Sequence, residues 1–333
     1  MLDKSSIKGS KENKSARECL IAVVIPCYRE KSKILDVLLK IDSTIDKIIV
    51  IDDACPEKTG EYVAKNSIDP RVLVVTHSQN QGVGGATISG YKKALELNSD
   101  VIVKMDGDGQ MDTKNIGKLI KPILNGDADY TKGNRFYSPD NLSTMPKSRL
   151  IGNLLLSFAS KMSSGYWRIF DPTNGFTAIH NKVLKELPLD KISKDYFFES
   201  DMLFRLNITR AVVCDIPMKA IYADETSTLK ISKILMPFSK KHIINVFKRI
   251  TYNYFLRDFS IASIELLASI ILILFGVFYG TQEWLISSQT GIPATAGTVI
   301  IAALPILVGS QLFISFLNFD VNYEPDKPIH NKL

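Results

Sequence analysis

The sequence predicts an α/β protein in which a doubly wound, mostly parallel sheet is followed by amphipathic helices and two transmembrane helices. Three observations lead to this prediction. Apolar runs of strand length alternate with segments of helical periodicity over the first 110 residues. Acidic or glycine-rich motifs directly follow the apolar runs, as expected where parallel strands end at a ligand-binding edge. Two nearly uncharged stretches of about 20 apolar residues, the length that crosses a bilayer, lie beyond residue 258.

Four apolar runs supply the strands of the predicted sheet. They are LIAVVIPCY (20–28), KIIVIDDACP (47–56), RVLVVTH (71–77) and DVIVKMDGDGQ (100–110). Their continuous apolar character indicates strands that are buried on both faces of the sheet, with helices between them. The pattern from 111 to about 220 is less regular, with helices predicted through 116–124 and 150–162 and short strands at 129–136 and 211–218.

The distribution of charge divides the chain into a basic front and an apolar back. Beyond Arg257 the only basic residues are Lys327 and Lys332, so residues 1–257 carry a net charge of +10, whereas the rest of the chain is slightly acidic. A basic domain suits nucleotide phosphates, nucleic acid or an anionic membrane surface. The apolar back favours the membrane, and no nucleic-acid partner is expected. The four cysteines lack C-x-x-C spacing, which argues against zinc and disulfides and for reduced thiols.

The predicted organisation has five parts. Residues 1–18 form a disordered lead-in without an apolar signal segment, and 19–228 form the catalytic domain. Residues 229–258 form basic amphipathic helices, broken near Pro237, and 259–321 form two transmembrane helices rather than buried core helices. The basic collar before the spans places the catalytic domain and the tail 322–333 in the cytoplasm, beneath the cell (inner) membrane. Glu265, inside the first span, lies at the interface or pairs within the bundle.

The motif Asp106-Gly107-Asp108-Gly109-Gln110 predicts a metal site at the end of an apolar strand. A turn there can bring both carboxylates to one hard cation, and Mg²⁺ or Mn²⁺ readily shares carboxylate oxygens with a diphosphate. Such a cation would neutralise a departing diphosphate. A glycine turn with two solvated aspartates is the alternative.

A second group of polar residues predicts a nucleoside site. Asp53 follows the second strand, while Pro26, Tyr28 and Glu30 follow the first. A carboxylate there can accept hydrogen bonds from a base or a ribose, and Tyr28 offers a ring for stacking. Capping of the next helix is the alternative, and it is accepted for Asp52.

The run Asn80-Gln81-Gly82-Val83-Gly84-Gly85-Ala86 precedes a helix and permits close backbone approach at an anion-favouring helix N-terminus. Its spacing departs from G-x-G-x-x-G, and it follows the third strand instead of the first. A dinucleotide-dependent oxidoreductase is therefore not expected.

The order of IPCYRE, IDDACP, NQGVGGA, DGDGQMD, GNR and DPTNGF resembles the family-2 inverting glycosyltransferases of GT-A fold. Within them it is similar to the dolichol-phosphate mannosyltransferases and bacterial polyprenyl-phosphate glycosyltransferases. The resemblance implies that the nucleotide sugar, UDP- or GDP-linked, is bound by Pro26, Tyr28, Glu30, Ile51, Asp53, Gly84, Asp106, Gly107, Asp108 and Arg135. It implies that Asp106, Asp108 and Gln110 hold Mg²⁺ or Mn²⁺ and that Arg135 contacts the phosphates, so that Asp106, Asp108 and Arg135 are the catalytic residues.

The resemblance also implies that the acceptor is a polyprenyl phosphate, whose phosphate would meet Arg149. One departure affects this side: an arginine followed by G-E-S-K is replaced by YADETSTLKISK, in which Ser227 and Lys230 are the substitutes. Asp171, Glu199 and Asp201 are candidates near the acceptor. A hydroxyl acceptor, such as a membrane glycolipid, would need one of them as a base, and a membrane-tethered scaffold without catalysis is a further alternative. The absence of Q-x-x-R-W favours single transfer, and a homo-oligomer is left open.

Overall fold

The computed structural model describes residues 19–137, 147–219 and 231–333, with only the backbone at 147–150 and 231–235. The described residues form a seven-stranded sheet in the order β3-β2-β1-β4-β6-β5-β7. Only β6 runs antiparallel to its neighbours in this sheet, so the predicted mostly parallel architecture is confirmed. The strands are β1 Ile21–Cys27, β2 Lys47–Asp52, β3 Val72–Thr76, β4 Val101–Lys104, β5 Tyr130–Asn134, β6 Thr177–His180 and β7 Val213–Pro217.

Helices cover both faces of this sheet and then extend away from it. The first seven are α1 Ile34–Leu39, α2 Thr59–Asn66, α3 Gly82–Glu96, α4 Ile116–Leu124, α5 Lys147–Ser164, α6 Asn181–Glu186 and α7 Phe198–Ile208. The last three are α8 Ile231–Thr251, which continues as a π-helical turn through Tyr252–Arg257, then α9 Ile261–Thr290 and α10 Ala296–Asn322.

The first strand lies in the middle of the core because both of its faces are covered. Val23 and Ile25 belong to the apolar cluster on the α1 and α4 side, whereas Ala22 and Val24 belong to the cluster on the α3 side. A Cβ added at Gly90 of α3 would lie 2.1 Å from Cγ1 of Val24, so that helix packs directly on the strand. This two-sided burial explains why the strand is a continuous apolar run.

The helix α8 passes through Pro237, so the predicted break at that residue is wrong. Proline removes one backbone N–H donor and crowds the carbonyl four residues earlier. Here it is the seventh residue of the helix, and the helix continues to Thr251, about 21 Å beyond it at 1.5 Å per residue. Packing of α8 on α5, through the 2.7 Å hydrogen bond between Ser163 Oγ and His242 Nδ1, supports the continuous helix.

The helices α9 and α10 form an antiparallel hairpin that is long and apolar enough to cross a membrane. Only 28% of the most apolar 18-residue stretch of α9 is buried, and only 11% of that of α10. The core helices of a soluble domain are mostly buried. A Cβ at Gly276 would lie 2.6 Å from the carbonyl oxygen of Ala302, so small residues let the two backbones approach. Ser315 donates a 3.0 Å hydrogen bond to Glu265, which therefore pairs within the hairpin.

Both ends of the hairpin return to the catalytic domain, as predicted for a pair of spans. At the end of α10, Asp320 accepts hydrogen bonds from Arg249 (2.5 and 3.0 Å), Tyr254 (2.6 Å) and Trp167 (3.0 Å). The tail then docks on the domain, where His330 donates its backbone N–H to the buried Asp129 at 2.9 Å. The hairpin is thereby fixed to the domain by buried polar contacts at one end.

Candidate active site

The acidic turn after β4 lies at the carboxyl ends of the central strands. A Cβ at Gly107 would lie 3.0 Å from Sγ of Cys27, so this position packs against the end of β1. Gly109 has a φ of +74°, a conformation that favours glycine, and the turn is closed by the N–H of Gln110, which donates to Asp108 Oδ1 at 2.9 Å. The local sequence thus brings Asp106 and Asp108 to the same edge, while the role of the Gln110 side chain stays a prediction.

Negative charge accumulates at this edge. Burial raises the pKa of Asp108, and the charge of Asp106 raises it further. Burial also raises the pKa of Glu30 to about 7, with added repulsion from Asp108 and Asp106. A bound cation would relieve this repulsion. The three carboxylates therefore form an environment in which a divalent cation favours the ionised forms.

The donor set fits a metal ion that is completed by its substrate. No group of three or more His, Cys, Asp and Glu side chains forms a preassembled metal cage within the described residues. Mg²⁺ is commonly held by one or two carboxylates together with substrate phosphates. The two aspartates of the turn match this arrangement, in which a diphosphate supplies the other oxygen ligands.

A buried lysine lies beneath the acidic turn. Nζ of Lys104, at the end of β4, is 2.8 Å from Asp106 Oδ1 and 3.2 Å from Oε1 of Glu199 in the first turn of α7. Its side chain is only 1% exposed. Burial alone would lower the pKa of Lys104, but the two carboxylates raise it above its ordinary value. Glu199, predicted on the acceptor side, is thus connected through this ammonium to Asp106, a predicted metal ligand.

Arg135 and Asp171 form a two-pronged ion pair. Nε and Nη2 of Arg135 donate to Oδ2 and Oδ1 of Asp171 at 2.7 and 2.9 Å, and the backbone N–H of Arg135 donates to Oδ2 at 3.2 Å. The Asp171 side chain is 1% exposed. This geometry fixes the plane of the guanidinium at the end of β5.

The turn 171–176 closes over the lysine and the acidic turn. A Cβ at Gly175 would lie 2.1 Å from Nζ of Lys104 and 3.0 Å from Oδ2 of Asp106. The side chain of Asn174 donates to the carbonyl of Gly133 at 2.8 Å, and the buried Lys132 donates to the carbonyl of Asn174. Burial lowers the pKa of Lys132 to about 8. The turn is therefore held by β5 on one side and covers Lys104 and Asp106 on the other.

Asp53 lies at the predicted edge and is engaged in local hydrogen bonds. Its carboxylate accepts from the N–H groups of Gln81 and Gly82, both at 2.8 Å, and from the ring of His77 at 2.7 Å. Asp52 accepts from the N–H of Gly60 at 2.6 Å, which confirms its predicted role as a cap for α2. The nucleoside role of Asp53 stays a prediction alongside this observed anchoring role.

The other nucleoside candidates differ in accessibility. Pro26 and Ile51 are paired neighbours on β1 and β2, and both are buried. The Ile51 side chain belongs to the core cluster on the α3 side, and its strand pairs with β1 and β3, so binding of the nucleotide sugar by Ile51 stays a prediction. Tyr28 is 43% exposed and presents its ring to solvent beside Arg29. Tyr28 and Glu30 are therefore the accessible members of this group.

The glycines before α3 pack against this chain's own backbone. A Cβ at Gly84 would lie 2.4 Å from the carbonyl oxygen of Ser193, and one at Gly82 would lie 2.6 Å from that of Lys194. The N–H of Gly85 donates to the Lys194 carbonyl at 3.1 Å. The close approach predicted from the motif is thus observed with residues 193–194, and binding of the nucleotide sugar by Gly84 stays a prediction.

The remaining acceptor-side candidates do not all fall within the described structure. Asp201 is buried and accepts hydrogen bonds from the Ser193 N–H (2.9 Å), Arg205 Nε (3.1 Å) and Asn245 Nδ2 of α8 (3.2 Å). The side chain of Arg149 and the whole of Ser227 and Lys230 lie outside the described residues. Their predicted contacts with a lipid phosphate stay predictions.

Four residues of this site were not predicted as functional from the sequence: Lys104, Lys132, Asn174 and Gly175. The available signal was a lysine within a predicted strand: Lys104 ends the apolar run VIVK, and Lys132 lies in the middle of β5. A fully buried lysine requires a partner for its charge. That signal indicates a buried ion pair but does not name the partner.

The sheet and its acidic edge define a glycosyltransferase of GT-A fold, and comparisons with known proteins give the family. Residues 22–188 match Glycosyl transferase family 2, and this chain belongs to that family. It is 33% identical over 219 residues to the UDP-N-acetylglucosamine–dolichyl-phosphate N-acetylglucosaminyltransferase of Methanococcus voltae, covering 62% of this chain and 87% of that protein. It is 29% identical over 202 residues to the undecaprenyl-phosphate mannosyltransferase of Micrococcus luteus, covering 60% and 82%.

The fold is shared with a solved structure at lower identity. The glucosyl-3-phosphoglycerate synthase of Mycobacterium tuberculosis, in complex with Mn²⁺, UDP-glucose and phosphoglyceric acid, matches with a TM-score of 0.53 and 18% identity. The match covers 70% of this chain and 80% of that chain. The predicted GT-A-like fold and the predicted glycosyltransferase class are both confirmed.

Proposed function

We propose that this glycosyltransferase moves a sugar from a UDP- or GDP-linked donor to a polyprenyl phosphate, with inversion at the anomeric carbon. Its relatives in M. voltae and M. luteus are named for dolichyl phosphate and undecaprenyl phosphate. The product would be a lipid-linked sugar phosphate that serves as a donor for glycan or glycoprotein synthesis.

The observation that carries the choice of acceptor is the pairing of three carboxylates. Asp171 pairs with Arg135, Glu199 with Lys104, and Asp201 with Arg205. A hydroxyl acceptor must lose a proton as it attacks, and a carboxylate already paired with a cation is a weak base for that step. A phosphate acceptor is already an anion near neutral pH. The pairing therefore favours a phosphate over the hydroxyl of a membrane glycolipid.

On the donor side, Asp106 and Asp108 would hold Mg²⁺ or Mn²⁺ together with oxygens of the donor diphosphate. The metal, when bound, supplies Lewis-acid stabilisation of the leaving diphosphate. Tyr28 and Glu30 flank the nucleoside, and Arg135, oriented by Asp171, meets phosphate oxygens through its planar guanidinium. An oxygen of the acceptor phosphate attacks the anomeric carbon as the bond to the nucleotide breaks. The chain's own contribution is positioning and charge stabilisation.

An apolar surface connects the hairpin with the catalytic domain. Three side chains of α5 (Ile151, Leu155 and Phe158) and two of α8 (Ile243 and Phe247) are between 56% and 69% exposed. Exposed apolar groups of this size on packed helices suit the acyl boundary of a bilayer. The surface supports our proposal that the enzyme receives a prenyl chain from the lipid side. The proposed multi-pass arrangement in the cell (inner) membrane, with the catalytic domain facing the cytoplasm, rests on the two apolar helices and the basic residues before them.

The test uses the full chain in detergent or nanodiscs with a panel of radiolabelled UDP- and GDP-sugars. The acceptors are undecaprenyl phosphate, dolichyl phosphate and, as a matched control, undecaprenol, which lacks the phosphate. We expect label to enter only the lipids that carry phosphate and to be released by mild acid. Equal labelling of undecaprenol, or an acid-stable product, would contradict the phosphate acceptor.

A further inference from the structure

Lys104 joins the acidic turn to a carboxylate that is far away in sequence. Its ammonium lies between Oδ1 of Asp106 and Oε1 of Glu199, and the three groups are covered by the turn that contains Gly175. Glu199 and Lys104 are buried, whereas the side chain of Asp106 is 34% exposed. This is a buried chain of alternating charges that ends at one of the two proposed metal ligands.

The second carboxylate on Lys104 changes the net charge that a cation bound by Asp106 would encounter. An ammonium paired with Asp106 alone would neutralise that aspartate, because a one-to-one ion pair has no net charge. The second carboxylate shares the ammonium and leaves Asp106 with negative charge to offer. Lys104, Asp106, Asp108 and Glu199 together then carry two net negative charges, which match one divalent cation. In a poorly hydrated site such a balance strongly affects ion binding.

We propose that Glu199 is a positioning and charge-balancing residue for the metal ligand Asp106, acting through Lys104. Lys104 takes the Oδ1 atom of Asp106 and so fixes the carboxylate with Oδ2 left for the metal and its diphosphate. The negative charge of Glu199 offsets the positive charge of Lys104, so that Asp106 keeps negative charge for the metal. This inference rests on the proposed function, because that function supplies the metal.

The proposal differs from an acceptor-side role for Glu199. A base would contact the acceptor and would leave metal binding unchanged when removed. A positioning residue beyond the direct ligands typically changes metal affinity, by about 10- to 100-fold when it is mutated. Direct measurement of metal binding therefore separates the two roles without relying on turnover.

The experiment titrates Mn²⁺ into the full chain with saturating UDP and, in a parallel titration, with saturating GDP, and it follows free Mn²⁺ by electron paramagnetic resonance. We expect Glu199→Gln to weaken Mn²⁺ binding about tenfold or more. Asp129→Asn is the matched control, because it also removes a buried carboxylate. Asp129 immediately precedes β5, at the edge of the sheet opposite the acidic turn. This variant should bind Mn²⁺ as the wild type does, and thermal unfolding of each variant checks the fold.

A double variant tests the charge balance itself. Lys104→Met combined with Glu199→Gln removes one charge of each sign and restores the two net negative charges, but it also removes the contact of Lys104 with Asp106 Oδ1, so it should regain part of the lost Mn²⁺ affinity. Should Glu199→Gln not fold, the comparison of Lys104→Met with the double variant decides, since the single variant is expected to bind Mn²⁺ more tightly.

Three results would overturn the inference: unchanged binding in Glu199→Gln, an equal loss in Asp129→Asn, or a double variant as weak as Glu199→Gln. The failure of the wild type to bind Mn²⁺ with either UDP or GDP would instead contradict the proposed metal dependence as a whole. The two failures are thus distinguishable in the same titration.

Discussion

Asp171→Asn is the substitution that most sharply separates a positioning carboxylate from a catalytic base. The almost fully buried carboxylate of Asp171 accepts hydrogen bonds from Nε of Arg135 at 2.7 Å and from Nη2 at 2.9 Å. Asparagine has nearly the same shape but keeps only one acceptor oxygen, and it carries no charge. One charge-assisted hydrogen bond is lost, and the other is weakened.

The expected size follows from that loss. A hydrogen bond to a charged group contributes about 1.5–3 kcal/mol. If orientation of Arg135 is what the pair provides, kcat/KM should fall about 10- to 150-fold, since 1.4 kcal/mol corresponds to roughly one factor of ten. In an Arg135→Ala background the same substitution has no guanidinium to orient, so it should cost less than about threefold.

The assay is transfer of radiolabelled sugar to prenyl phosphate by the wild type, both single variants and the double variant. Thermal unfolding checks that each protein is folded, because breaking a buried ion pair also costs stability. A loss in the Arg135→Ala background as large as that in the wild type would refute the reasoning. Asp171 would then act independently of the arginine, as a base would.

Three further predictions follow from the geometry. Burial raises the pKa of Glu30 from 4.5 to about 7, so the metal-free protein should lose stability as the pH rises from 4.5 to 7, while Mn²⁺ binding tightens. Glu30→Gln should flatten the pH profiles of both stability and Mn²⁺ binding. Profiles that are unchanged in this variant would assign the titration to another group. Gly175→Ala should lower kcat about tenfold or more, because the added methyl group would displace Lys104 and Asp106. Gly117→Ala should leave kcat unchanged, because a Cβ at that position meets nothing within 4 Å. Equal activities of the two variants would show that the turn tolerates the methyl group. Gly276→Val should lower the stability of the hairpin by about 1–3 kcal/mol in thermal unfolding, because Gly276 abuts the carbonyl of Ala302. Gly297 does not contact that carbonyl, so Gly297→Val should leave the stability unchanged. A Gly276→Val variant as stable as the wild type would contradict the close packing.

The sheet and the acidic edge were predictable because burial on both faces leaves a direct record in sequence. The strand β1 is apolar at every position, and Asp106 and Asp108 closely follow β4, which is apolar except for Lys104 at its end. The hairpin was predictable for the same reason, since lipid-facing helices need long apolar stretches. The π-helical turn through Tyr252–Arg257 and the passage of α8 through Pro237 were not, because both depend on tertiary packing.

The partners of the site residues could not be read from the sequence. Lys104 and Glu199 are 95 residues apart, and Arg135 and Asp171 are 36 apart. No local periodicity connects such pairs, and their contact is decided by how the antiparallel β6 and the helix α7 are placed against β4 and β5. The glycines before α3 show the same limit: their need for close approach was evident, whereas its partner, the backbone of 193–194, was not.

The most direct test of the central claim is the cation requirement of sugar transfer to polyprenyl phosphate. The purified full chain, stripped of metal with a chelator, is supplied with lipid acceptor and nucleotide sugar, and transfer is followed as Mn²⁺ or Mg²⁺ is restored. We predict no transfer without the cation, recovery with it, and no recovery in Asp108→Ala. Full transfer in the presence of the chelator, or by the Asp108→Ala variant, would contradict the account.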